Sequence, residues 1–207
     1  MSKTKSTSET CIIVLHEIYG INQFMKDICV ALSEKDFDVI CPNLLPQETP
    51  FDYSQEEVAY ENFMQHASFE NNARKVKELV VEMKDQYEKV FILGFSVGAT
   101  IAWLCSEEEC VDGMVGYYGS RIRDYAGMNP ACPTLLYFPN TEKSFDVKEM
   151  VLKLEKPNVE VYTYDGKHGF SDPYAFAYNE ELAHITFKQT IDFFRKNVKN
   201  RVGGSTS

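Results

Sequence analysis

Apolar residues occur along this chain in two ways: in short unbroken runs, and in longer stretches where they recur every three or four positions. Cys11-Ile12-Ile13-Val14-Leu15, Val90-Phe91-Ile92-Leu93 and Pro133 to Phe138 are of the first kind. Runs this short and rich in β-branched and aromatic side chains read as strands buried on both faces. Phe37 to Cys41 (stopped by Pro42), Val111 to Tyr118 and Val159 to Tyr164 bring the predicted strands to six. The second kind predicts helices. After the turn Gly20-Ile21-Asn22, Gln23 to Lys35 places Phe24, Ile28, Ala31 and Leu32 on one face. Helical spacing returns over Ser54 to His66, Phe69 to Tyr87, Thr100 to Cys105 and Val147 to Leu154. It returns last over Tyr178 to Val198, where Ile185, Ile191, Phe193 and Phe194 are apolar. A loop with Pro46 and Pro50 separates the second strand from the second helix.

Strands alternate with helices throughout, which predicts an α/β domain: a mostly parallel central sheet with helices on both faces, in three layers. Right-handed crossovers then put every strand's C-terminal end on one edge of the sheet, where ligands bind. Functional residues are therefore expected just after Leu15, Leu93, Phe138 and Tyr164. At 207 residues the chain is one domain, assigned to 11–200, with disordered segments at 1–10 and 201–207. The last of these carries Gly203-Gly204-Ser205-Thr206-Ser207.

Composition narrows the partners. A formal net charge of -10 excludes a nucleic-acid-binding surface and disfavours anionic membranes. No apolar run approaches the length of a membrane span, and the polar N-terminus lacks a secretion-signal core, so the expected location is cytoplasmic. The six cysteines are scattered with no C-x-x-C pair, and they read as small buried thiols, not as a disulfide framework or a zinc site. No metal or organic cofactor is expected.

The candidate chemistry begins at Gly94-Phe95-Ser96-Val97-Gly98, which joins an apolar strand directly to a helical stretch. This is the pattern of a nucleophile elbow, a strained turn that holds a serine hydroxyl out at the top of a sheet. A side chain at position 94 or 98 would collide with the neighbouring elements, hence the glycines. The elbow predicts the chain order Ser, then Asp or Glu, then His. His168, in Asp165-Gly166-Lys167-His168-Gly169-Phe170 after the sixth strand, stands where the base belongs. The acid is expected on the loop after the fifth strand, Pro139-Asn140-Thr141-Glu142-Lys143-Ser144-Phe145-Asp146. Asp146 is the choice, with Glu142 and Asp165 as alternatives. Asp146 also fits a helix N-cap, with Glu149 three residues on. Val97 N–H would be one oxyanion donor, and the loop His16-Glu17-Ile18-Tyr19-Gly20 should supply the second.

In these blocks the chain resembles the dienelactone hydrolase family, small members of the α/β-hydrolase fold. The resemblance is carried by His16-Glu17-Ile18-Tyr19-Gly20, Gly94-Phe95-Ser96-Val97-Gly98-Ala99, Tyr117-Tyr118-Gly119, Cys132-Pro133-Thr134-Leu135-Leu136 and His168-Gly169-Phe170, in order, and by the closing helix through Ala183 to Phe194. It implies Ile18 as the second oxyanion donor, Glu17 as a supporting residue beside the nucleophile, and a small ester or lactone as substrate. Tyr19, Phe95, Tyr118 and Phe170 are candidate pocket walls. Three positions depart from the family. Ser96 stands where dienelactone-cleaving members have cysteine. The family's register puts Ser144 at the acid position, two residues before Asp146. Asp172 falls near a position where those members hold the substrate carboxylate with arginine, and Ser54 to Tyr60 supplies no arginine either. The resemblance therefore implies ester-cleaving chemistry more than an anionic dienelactone substrate. A thioester or amide hydrolase on the same triad, or a degenerate member acting by binding, are the alternatives.

Overall fold

The computed structural model describes residues 8–142 and 144–199. Six strands pair in parallel: β1 (Thr10–Leu15), β2 (Asp38–Ile40), β3 (Lys89–Phe95), β4 (Gly113–Tyr117), β5 (Thr134–Pro139) and β6 (Val159–Tyr164), in the order β2-β1-β3-β4-β5-β6. The helices are α1 (Gln23–Ser33), α2 (Glu56–His66), α3 (Phe69–Lys84), α4 (Val97–Cys105), α5 (Val147–Lys153) and α6 (Glu180–Lys199). Short 3-10 turns at Tyr53–Gln55 and Ser120–Tyr125 add to them. The element order is the one that hydrophobic spacing predicts.

Each central strand divides its side chains between two cores, as a period of two requires. Ile12, Val14, Phe91, Leu93, Phe95, Val115, Tyr117, Leu135 and Tyr137 face α1 and α6. Cys11, Ile13, Leu15, Val90, Ile92, Met114, Leu136 and Phe138 face the other way, onto residues of α2, α3, α4 and α5. The result is three layers. The edge strand β6 is half-buried and alternating, whereas β1, β3, β4 and β5 are buried along their whole length.

Differences from the expected boundaries have local causes. Thr10 lies in the segment expected to be disordered, yet it opens β1, because Lys89 N–H bonds Glu9 O and Thr10 pairs with Lys89 across the ladder. The expected disorder of the remaining leader and tail falls on 1–7 and 201–207, outside the described residues. β4 starts two residues late because Asp112 is diverted: its carboxylate accepts from Val90 N–H and pairs with Lys84 and Lys89. All six cysteines are free thiols, and burial pushes those of Cys11, Cys105 and Cys132 up to about 12. No helix among the described residues is long and apolar enough to cross a membrane.

Leu15, Gly94, Gly116, Leu136 and Val161 form one row across the sheet. The loops that leave just beyond it carry His16 to Gly20, Ser96, Tyr118, Glu142 and His168. One edge gathers them all.

Candidate active site

Ser96 joins β3 to α4 with φ 51° and ψ -113°, a left-handed backbone conformation that a non-glycine residue adopts at a cost of about 1–3 kcal/mol. Its neighbours hold it there. Ser96 N–H bonds Tyr117 O at 2.9 Å, and Ser96 O accepts from the N–H groups of Ala99 (3.1 Å) and Thr100 (3.2 Å). The two glycines let the backbones meet: a Cβ on Gly94 would sit 2.3 Å from Gly98 O, and one on Gly98 would sit 2.3 Å from Leu15 O. The start of α4 is thus pressed against the end of β1, beside the loop from His16 to Gly20.

The Ser96 hydroxyl lies 2.9 Å from His168 Nε2. His168 Nδ1 lies 2.8 Å from Glu142 Oε1. A carboxylate can only accept, so Nδ1 carries the proton and Nε2 accepts from the serine. The Tyr118 ring, itself fully buried, packs against the imidazole at 4.9 Å between centroids. Gly169, at φ 85°, turns the chain immediately after His168. Burial alone would push the His168 pKa down. The Glu142 hydrogen bond and charge, with the charges of Glu17 and Glu56, outweigh it and hold the pKa above its usual value.

Glu142, not Asp146, is therefore the acid that this histidine meets. Asp146 is the N-cap of α5, and its Oδ1 accepts from Lys148 N–H (2.8 Å) and Glu149 N–H (3.2 Å). Both amides of the helix start bond the same Asp146 oxygen, and His168 Nδ1 makes its bond to Glu142 instead. Glu142 leaves the loop only three residues beyond the end of β5, and its side chain is one methylene longer. The remaining alternative, Asp165, makes no bond to His168.

Ile18 and Val97 are both buried, on the two segments that Gly98 brings together. Among the described residues, neither Ile18 N–H nor Val97 N–H donates to a backbone or side-chain acceptor. Glu17, on the same loop, is buried. Desolvation and the nearby Asp172 charge raise its carboxyl to about 7, against the lowering pull of His168 and the Tyr118 hydroxyl. Asp172 is fully buried and accepts from the Tyr53 hydroxyl at 2.5 Å and from Tyr174 N–H at 2.9 Å. Burial raises its pKa too, against those bonds.

Of the candidate pocket walls, Tyr19 is half-buried and packs on Tyr53 at 4.7 Å between ring centroids. Phe95, Tyr118 and Phe170 are buried in the core and line no open surface, though the Tyr118 ring backs the His168 imidazole. Phe95 packs on Phe24 and Tyr117, and Phe170 on Tyr117 and Tyr118, all within the core on the α1 and α6 side. Period-two spacing accounts for Phe95, which shares a strand face with Phe91 and Leu93. A separate open depression of about 580 Å³, lined by Ser8, Asp36, Asp38 and Tyr87 among others, lies at the opposite, N-terminal edge of the sheet.

A sequence profile of the dienelactone hydrolase family matches residues 1–198. The uncharacterized protein YczH of Bacillus subtilis (strain 168) is 38% identical over 194 residues, spanning 92% of this chain and 93% of that one. The chain belongs to the dienelactone hydrolase family. A carboxymethylenebutenolidase of Pseudomonas putida is 24% identical over 198 residues, 88% of this chain and 84% of its own. Among solved structures, a dienelactone hydrolase-like promiscuous phosphotriesterase from metagenomic libraries superposes with a TM-score of 0.73 at 13% identity, covering 94% of this chain and 89% of that one. An esterase from Pyrococcus furiosus superposes at 0.64 and 15% identity, covering 93% and 83%. The fold is the α/β-hydrolase fold in three layers, and the family membership makes the protein a carboxylic ester hydrolase. Carboxylates act on the site's titratable groups: Glu56, Glu17 and Asp172 on Tyr19, Asp172 and Glu17 on Tyr53, and Glu142, Glu17 and Glu56 on His168.

Proposed function

We propose that this protein cleaves a small uncharged ester or lactone through an acyl-enzyme on Ser96. The observation that carries the reading is the unbroken relay from the Ser96 hydroxyl through His168 to Glu142, both links under 3 Å. As Ser96 Oγ attacks the carbonyl carbon, His168 Nε2 takes its proton, and Glu142 stabilises the resulting imidazolium. The tetrahedral oxyanion is held by the N–H groups of Ile18 and Val97. Collapse expels the alcohol oxygen, which receives the proton from Nε2. Water, deprotonated by the same nitrogen, then attacks the acyl-serine and releases the acid. In a lactone the leaving oxygen stays attached, and the product is one hydroxy acid.

The electrostatics support an uncharged substrate. Bidentate arginine is the usual reader of a carboxylate, and the charges that act on His168 are those of the carboxylates Glu142, Glu17 and Glu56. A fluorophosphonate probe tests the nucleophile: the wild type labels and hydrolyses p-nitrophenyl acetate, and Ser96→Ala does neither. Labelling that persists in Ser96→Ala would overturn the assignment. A wild type that neither labels nor turns over ester would favour a binding role.

A further inference from the structure

The loop expected to supply the second oxyanion donor begins with a histidine that the triad does not use. His16 is fully buried directly after β1. Its Nε2 accepts from Leu44 N–H at 2.8 Å, and its Nδ1 lies 2.6 Å from Glu17 O. A ring nitrogen that accepts an amide proton carries none itself, so the imidazole is neutral and its one proton sits on Nδ1, donated to the Glu17 carbonyl. Burial holds this histidine below its usual pKa despite its bonds to Glu17 O and Asn43. Leu44 is anchored in turn, because the buried Asn72 of α3 donates to Leu44 O at 3.1 Å and to Ala67 O.

The carbonyl that His16 grips belongs to the same peptide unit as Ile18 N–H. No peptide bond among the described residues is cis, and in a planar trans peptide the N–H points opposite to the C=O. Fixing one fixes the other. We infer that His16 is a positioning residue: through the Glu17 carbonyl it sets the plane of the Glu17–Ile18 peptide and so aims Ile18 N–H at the developing oxyanion. The inference rests on the proposed acyl-enzyme chemistry. It adds that a neutral side chain, tied through Leu44 and Asn72 to α3, stiffens the loop that faces the start of α4. A donor misaimed by a fraction of an ångström loses much of its hold on the transition state while ground-state binding barely changes.

Two substitutions separate aiming from anchoring. Gln places its carbonyl near Nε2 and keeps the Leu44 bond while losing the donor to Glu17 O. Asn places its amide near Nδ1 and keeps the Glu17 bond while abandoning Leu44. Positioning predicts that kcat for p-nitrophenyl acetate falls by about 10- to 100-fold in His16→Gln with KM nearly unchanged, and that His16→Asn retains most of kcat with a lower thermal midpoint. Equal kcat in the two variants, or a larger loss in Asn than in Gln, would overturn it.

A measurement on the wild type guards against variants that fail to fold. In 15N-labelled protein at pH 8, His16 shows a neutral ring with its proton on Nδ1, and the Ile18 amide proton moves downfield when diethyl p-nitrophenyl phosphate modifies Ser96. A His16 protonated on Nε2 at that pH, or an Ile18 amide that does not move, would refute the proposal. A wild type that is not modified at all would instead refute the serine mechanism beneath it.

Discussion

Replacing Glu142 by Gln removes one charge from the relay and leaves its shape nearly unchanged. In the wild type the His168 imidazolium that forms during the reaction faces a carboxylate across a 2.8 Å hydrogen bond. With the charge centres about 4 Å apart and an effective dielectric of about 20, that pair is worth about 4 kcal/mol. Water lowers this, because 38% of the His168 side chain is open to solvent although Glu142 is only 9% exposed. A screened interaction of about 2–4 kcal/mol predicts a fall in kcat of about 30- to 1,000-fold.

The pH profile gives a second, independent reading. His168 must be neutral to accept the serine proton, and its pKa is raised, so the rising limb of wild-type kcat/KM lies above pH 6.5. Without the Glu142 charge, burial pulls the histidine down against the weaker Glu17 and Glu56 charges alone, and the limb moves to lower pH. Steady-state hydrolysis of p-nitrophenyl acetate from pH 5 to 9 measures both effects. Asp146→Asn is the control: asparagine still caps α5, so rate and profile should stay at wild type. The reasoning fails if Glu142→Gln keeps kcat within about twofold, if its limb does not move acidward, or if the rate collapses in Asp146→Asn instead.

Gly98→Ala should cost several kcal/mol, since its Cβ would lie 2.3 Å from the backbone oxygen of Leu15, while Gly127→Ala meets nothing within 4 Å and should be nearly neutral. Urea midpoints compare the two, and equal midpoints would show that α4 does not press on β1. A substrate pair tests the electrostatic reading. p-Nitrophenyl acetate should exceed mono-p-nitrophenyl succinate in kcat/KM by about tenfold at low salt, with the gap narrowing as salt screens the carboxylates. A preference for the succinate ester would mean that a cation reads the substrate after all.

What the sequence reveals about this molecule follows from the range of the interactions involved. The strands are legible because the central ones are buried on both faces, so burial prints short unbroken apolar runs whose side chains alternate between the two cores with a period of two. The elbow is legible because a Cβ at Gly94 or Gly98 would sit 2.3 Å from a backbone oxygen, which leaves room for glycine alone. His168 stands at the end of a strand, where topology alone directs attention. The acid obeys no such period. Glu142 and Asp146 lie four residues apart on one aperiodic loop, and which of them meets a histidine 26 residues downstream depends on how that loop folds back. A local signal nevertheless separates them. The first amides of α5 lack acceptors within the helix, and an Asp three residues before a Glu at a helix start is the residue type that satisfies them. The cap accounts for Asp146 by itself, which leaves Glu142 as the acid of that loop without a local role. Phe95 yields to similar accounting, since two steps from Leu93 put it in the core. His16 does not: its partner Leu44 is 28 residues away, and only the folded loop shows both ring nitrogens engaged. Residues that act chemically thus announce themselves by position, and those that hold them in place become visible when each buried donor is matched to its acceptor.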